Sequence, residues 1–173
     1  SKTNDWNAEY SHTFGRAQQE LTLSWIGGTT HNQTLSVPAP SAQRDIRSQN
    51  NEQVFQADYQ HPIRRSWLVE TGLRFTTRSI SNSQFDSLGS QRSTTLRYQQ
   101  QILASYVSSQ WDLKNKWSLR TGLRLEQTLN NIWQLTSERN QQYANLFPSM
   151  LVQKRLKNAR SLKLSYGLRI QRP

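Results

Sequence analysis

Trp67-Leu-Val-Glu-Thr-Gly-Leu-Arg-Phe75 recurs, with substitutions, as Trp117-Ser-Leu-Arg-Thr-Gly-Leu-Arg-Leu125 and as Leu162-Lys-Leu-Ser-Tyr-Gly-Leu-Arg-Ile170. Alternate positions of the phrase are large and apolar: Trp67, Val69, Leu73 and Phe75; Trp117, Leu119, Leu123 and Leu125; Leu162, Leu164, Tyr166, Leu168 and Ile170. The positions between them are polar, charged or glycine: Glu70, Gly72 and Arg74; Arg120, Gly122, Arg124 and then Glu126; Lys163, Gly167 and Arg169. A period of two belongs to a strand whose faces meet different surroundings. Recurrence at roughly fifty residues means that one supersecondary unit is reused. Arginine, lysine and glutamate on the polar face need water or partners, and the interior of a transmembrane β-barrel supplies both.

Composition points the same way. Only 34% of the 173 residues are hydrophobic and the mean hydropathy is -0.85, yet there are six Trp, six Tyr and five Phe. Low hydrophobicity with a net charge of +11 would suit a disordered chain, but aromatic richness and strict alternation oppose it. The longest apolar runs, such as Trp67-Leu68-Val69 and Ile102-Leu103-Ala104, fall far short of the about 20 residues that a membrane-spanning helix needs. A closed barrel is the other structure that crosses a bilayer, and its strands are only half apolar. The fold class expected is all-β: a transmembrane antiparallel up-and-down barrel, with about eight strands of a larger barrel.

Those strands are read at 5–13, 20–26, 52–60, 67–77, 96–111, 117–128, 146–155 and 161–171, with the two faces of the seventh not separable. All belong to one barrel domain over 1–173, in which short turns at 14–19, 61–66, 112–116 and 156–160 alternate with long loops at 27–51, 78–95 and 129–145. Soluble domains seldom carry several long structureless loops. Outer membrane barrels have short periplasmic turns and long extracellular loops as a rule. Trp67, Trp111 and Trp117 each lie beside a short turn, at the height of a membrane-interface girdle. The competing reading makes them plugs of a soluble sandwich core. The chain starts and stops in strand-like text, without a secretory leader, which reads as a fragment.

Tyr10-Ser-His-Thr-Phe14, Gln56-Ala-Asp-Tyr-Gln-His-Pro62, Glu70-Thr-Gly-Leu-Arg74, Gln101-Ile-Leu-Ala-Ser-Tyr106, Trp117 to Arg124, Leu146-Phe-Pro-Ser149 and Leu162 to Pro173 form an ordered series along the chain. Together they resemble the outer membrane β-barrel domain of the TonB-dependent receptor-like family. The resemblance implies a barrel of about 22 strands around an amino-terminal plug. It also implies nutrient uptake energised through TonB. The partners it implies are outer membrane lipid, the receptor's own plug domain (no plug text occurs here) and TonB, with a surface lipoprotein or other membrane protein as a further class.

Catalytic and cofactor chemistry is not expected. There is no cysteine, and His12, His31 and His61 are too scattered for a zinc site. Ser87-Leu-Gly-Ser-Gln-Arg92 lacks the lysine and second glycine of a phosphate loop, and Asn32-Gln-Thr34 reads as ordinary loop text. A pI of about 10.6 suggests nucleic acid at first sight. The cations are dispersed, however, between the short turns and the polar strand face, so no nucleic-acid partner is expected. The lumen-facing candidates are Glu70, Gly72, Arg74, Arg120, Gly122, Arg124, Glu126, Lys163, Gly167 and Arg169, with no residue assigned to substrate. Gly72, Gly122 and Gly167 allow two readings: strand curvature, or clearance for a plug with empty or water-filled space beside them. Two rivals complete the set: a small closed eight-stranded barrel with a structural or adhesive role, and a soluble basic β-sandwich.

Overall fold

The computed structural model describes residues 1–39, 42–86, 92–134, 137–156, 158 and 160–168. Eight strands follow one another: β1 Lys2–Thr13, β2 Glu20–Ala39, β3 Ala42–Arg64, β4 Trp67–Asp86, β5 Arg92–Asp112, β6 Trp117–Gln134, β7 Ser137–Arg155 and β8 Ser161–Gly167. Each pairs antiparallel with its sequence neighbours in one sheet of order β1 to β8. Among the described residues β1 pairs only with β2 and β8 only with β7, so these eight strands do not close on themselves. That disposes of the small closed barrel. A single sheet, with no second layer packed on it among the described residues, likewise disposes of the β-sandwich.

Strands β2 to β7 are far longer than the sequence alternation suggests, at 18 to 23 residues. The stretches 27–51, 78–95 and 129–145, expected as loops, are instead mostly strand. Asn, Gln, Ser and Thr pair there in register, as Asn50 with Thr30 and Ile80, or Asn130 with Gln100 and Gln141. Alternation fades because both faces of these extensions are polar, while backbone pairing continues regardless of it. About ten tilted residues suffice to cross the hydrocarbon, so the rest of each strand extends beyond it.

The opposite end has tight connections. Phe14 to Gln19 closes with hydrogen bonds from Phe14 N–H to the Gln19 carbonyl and from Gln19 N–H to the Arg16 carbonyl. The connection expected at 61–66 shrinks to Arg65 and Ser66, because β3 continues through a register shift between Pro62 and Arg64. Between β5 and β6 a single 3₁₀ turn, Lys114–Lys116, holds Asn115 at φ 59° and Lys116 at φ 64°.

Register sorts the side chains into two faces. One row reads Tyr10, Leu23, Ala57, Leu73, Ser105, Leu125 and Leu146; the next reads Ala8, Trp25, Phe55, Phe75 and Leu103. The large apolar residues of these rows are exposed: Leu73 by 57%, Leu103 by 51% and Leu125 by 50%. The buried side chains lie on the other face, and half of them are polar: Glu126, Thr128 and Asn130 beside Val54, Ile102 and Ala104. In a single layer, long neighbours such as Arg74 and Glu126 beside Ala104 crowd together and cover small side chains most readily on the inner side of a curved sheet. The polar face is therefore the concave one. A water-soluble protein would have the opposite arrangement.

Candidate functional site

Charges on the concave face are placed by strand register and satisfied mainly across strands. Arg120 on β6 reaches over β5 to Glu70 on β4, with Nη2 at 2.6 Å from the carboxylate. Arg124 donates from Nε to Glu126, two residues along β6, at 2.8 Å. Nearer the long-strand end, Arg78 donates from Nε and Nη2 to the same oxygen of Glu52, at 3.0 and 2.6 Å. Above that pair Gln100 donates to Tyr98 Oη and Asn130 Oδ1, and Tyr98 donates to Asn130 in turn. Paired charges tolerate such crowding where lone ones would not.

Gly72 on β4 is covered by side chains from both neighbouring strands. The Tyr106 ring of β5 lies over it, so that its hydroxyl donates to Asp58 on β3, one strand further on. A Cβ on Gly72 would stand 2.5 Å from both Asp58 Oδ1 and the Tyr106 ring. Gln56 donates to the other oxygen of Asp58 at 2.6 Å. The plug-clearance reading therefore fails at Gly72, whose space belongs to a neighbouring strand's tyrosine. At Gly122 the Ser149 hydroxyl would meet a Cβ at 2.7 Å. Of these three glycines, Gly167 is the one with open space beside it among the described residues.

The sequence-derived candidates Glu70, Gly72, Arg74, Arg120, Gly122, Arg124, Glu126, Lys163 and Gly167 all fall on this one face by register. They do not meet at one point; they form pairs and small clusters down the wall. Arg74 has no ion pair among the described residues, and Lys163 stands exposed on β8. Arg169 lies outside the described residues. The Tyr106–Asp58 link escaped the sequence reading, since Asp58 and Tyr106 carry no shared motif. Their common neighbour Gly72 was the available signal.

Trp67, Trp111 and Trp117 all lie on the convex, apolar face beside the short turns. Trp67 and Trp111 stack with centroids 6.3 Å apart, and the Trp67 indole donates to Ser109 Oγ at 2.7 Å. Lys154 sits 4.8 Å over the Trp117 ring. Phe14, Tyr59 and His61 continue this line towards β1, with Tyr59 6.1 Å from Phe14 and 5.9 Å from His61. At the far margin of the apolar band Trp25 stacks on Phe55 and meets Trp6 edge-on. From Trp67 to Phe75 is about 27 Å of strand at the usual rise. With the usual tilt of about 35–45° that covers roughly 20 Å of height, most of an apolar belt about 25 Å tall flanked by aromatic girdles.

An antiparallel sheet that exposes leucines between two aromatic margins, and shelters paired charges on its concave side, is the wall of a transmembrane β-barrel. The chain belongs to the outer membrane protein beta-barrel family, whose profile matches residues 1–173. Its setting is thus the bacterial outer membrane. A comparison with curated proteins finds no match. Among solved structures it is similar in fold to the unliganded ferric citrate transporter FecA, with TM-score 0.80 and 15% identity. It is similar also to the ferric yersiniabactin uptake receptor FyuA from Yersinia pestis, with TM-score 0.70 and 14% identity. A third is the ferric-catecholate import receptor Fiu from E. coli K12, with TM-score 0.69 and 11% identity. The matches cover 93%, 90% and 99% of this chain but only 26%, 26% and 36% of those proteins. The chain thus has the fold of a stretch of these proteins' barrels and spans about a quarter to a third of their length.

Proposed function

We propose that this chain forms part of the barrel wall of a TonB-dependent receptor that takes up a scarce nutrient across the outer membrane. The observation that carries this reading is the inverted burial: leucines exposed on the convex face, and Glu126, Thr128 and Asn130 sheltered on the concave one. In this reading the concave face lines the lumen, and Glu70, Arg74, Arg120, Arg124, Glu126 and Lys163 meet water or a plug there. Trp67, Trp111 and Trp117 mark the periplasmic membrane interface, because short turns face the periplasm in such barrels. The remaining strands, a plug domain and TonB complete the working receptor. Its wall supplies shape and fixed hydrogen-bonding groups, not a reaction centre.

Growth of a deletion strain on limiting amounts of ferric chelates, cobalamin, oligosaccharides or peptides tests the uptake reading. The expected result is a defect on one of these classes that loss of TonB reproduces. Unimpaired growth on every class, with the protein present in wild-type cells, would contradict it.

A further inference from the structure

Strands β1 to β4 carry two hollows on the convex face, one beyond the other along the strands. The first is an apolar groove of about 600 Å³ at the far margin of the apolar band. Its walls are Tyr10, Leu23 and Leu73 and, one step further, Trp25, Phe55 and Phe75, with the small side chains of Ala8 and Ala57 interrupting the two rows. The second is a polar cleft of about 710 Å³, lined by Lys2, His31, Gln49 and Ser81 in one row and by Arg47 and Ser83 beyond it. Both lie on one face, because Lys2, His31, Gln49 and Ser81 stand six residues from Ala8, Trp25, Phe55 and Phe75, strand by strand. The polar cleft is thus continuous with the surface that meets hydrocarbon.

We propose that the two hollows together hold one glycolipid of the outer leaflet, an acyl chain in the groove and its sugars in the cleft. The proposal rests on the reading that the short turns face the periplasm, which puts the long-strand end outside the cell. Height decides between classes of lipid. From Phe75 to Ser81 and Ser83 is six to eight residues. That is about 20–26 Å of strand, or about 14–21 Å of height at the usual tilt. A phospholipid headgroup layer adds only about 5–7 Å to each side of the hydrocarbon. A headgroup of several sugars is needed to reach the cleft from a chain seated in the groove, and the outer leaflet of a bacterial outer membrane is built from such a lipid. The lining suits sugars, because the hydroxyls of Ser81 and Ser83 and the amide of Gln49 both donate and accept hydrogen bonds. Asp45 holds Arg47 at 2.9 Å and Gln33 at 3.2 Å, which fixes one wall of the cleft. A protein partner standing outside the membrane would fill the cleft but not the groove within the hydrocarbon.

The test uses the intact receptor in nanodiscs holding lipopolysaccharide with its core sugars and lipid A without them, in equal parts, released for native mass spectrometry. Wild type should retain the sugar-bearing form preferentially. A Gln49→Ala/Ser81→Ala/Ser83→Ala variant should lose that preference by at least about fivefold, the weight of one or two hydrogen bonds. Ala57→Trp, which fills the groove, should weaken retention of both forms. Asn140→Ala/Gln142→Ala, on the convex face of β7 outside the cleft, should keep the wild-type preference. Heat-modifiable migration on gels confirms that each variant is a folded barrel. If the triple variant does not fold, Gln49→Ala alone, at an exposed position, should still reduce the preference. Equal retention by the cleft variants and wild type would overturn the proposal, as would equal loss in the β7 control. So would a wild-type receptor with no preference for the sugar-bearing form, or a photo-crosslinker at Ser83 that captures a protein in cells in place of the glycolipid. Labelling of Asn140→Cys in intact cells by a membrane-impermeant maleimide checks the orientation separately. Labelling together with equal retention overturns the glycolipid site alone, whereas a folded receptor that resists labelling overturns the outward reading and the site with it.

Discussion

The hydroxyl of Tyr106 donates to the carboxylate of Asp58 across an intervening strand, passing over the bare backbone of Gly72. Three strands are locked by this one contact, which only a residue without a side chain permits. Glycine ordinarily weakens a strand. Here the covering ring offsets that weakness, in the manner of an aromatic packed on a sheet glycine.

Gly72→Leu should therefore destabilise the barrel by displacing Tyr106. The expected loss is at least the about 1.5–3 kcal/mol of a hydrogen bond to a charged group. Tyr106→Phe should give a loss in that same range while leaving the ring in place. Gly167→Ala, which meets no atom within 4 Å, should be neutral or stabilising by up to about 1 kcal/mol. Urea unfolding of the intact receptor in lipid vesicles measures all three.

Leu123→Arg should cost roughly 2–4 kcal/mol, as expected for a cation at the mid-membrane lipid face. Leu123 is 45% exposed on the convex face, so the penalty there is for entering hydrocarbon rather than for crowding. Arginine at Gly122, on the concave face, should instead act by displacing Ser149, with a smaller effect on insertion. Vesicle insertion yields and unfolding midpoints separate the two.

The two ion pairs of β6 should respond differently to loss of the acid. Arg120 and Glu70 have side chains 48% and 22% exposed, so Glu70→Gln should cost less than about 1 kcal/mol and less still in high salt. Glu126 is 10% exposed, and Glu126→Ala would leave Arg124 facing a sheltered wall without its partner. The expected cost there is larger, about 3 kcal/mol. Unfolding titrations at two salt concentrations would show whether the order holds.

The alternation between Trp67 and Phe75, and between Trp117 and Leu125, made the wall and its two faces legible before any coordinates. It worked because lipid and lumen differ most at those heights. It failed where they do not differ: Asn50, Asn130 and their neighbours continue the ladder with polar residues on both sides, and read as loop. It failed also on β7, where Leu146 and Phe147 are adjacent and both apolar. Register puts Leu146 beside Leu125 on the convex face and Phe147 beside Arg124 on the concave one. Contacts between strands, such as Tyr106 with Asp58, depend on register across 48 residues of sequence, and no local pattern encodes that. The aromatic margin was seen at its tryptophans but not at Phe14, Tyr59 and His61, whose place in it is a matter of neighbouring strands.

Site-directed spin labelling along β6 tests the central claim most directly. The chain has no cysteine, so single cysteines from Trp117 to Glu126 would be the only labelling sites this segment contributes. Collision rates with oxygen, which concentrates in hydrocarbon, and with a water-soluble nickel chelate would be recorded for the receptor in bilayers. The expected result is a period of two: labels at 119, 121, 123 and 125 favour oxygen, and those at 118, 120, 122, 124 and 126 favour the chelate or are shielded from both. Chelate access at Leu119, Leu123 and Leu125 equal to that at Arg120 and Arg124 would contradict the assignment of faces and, with it, the barrel wall.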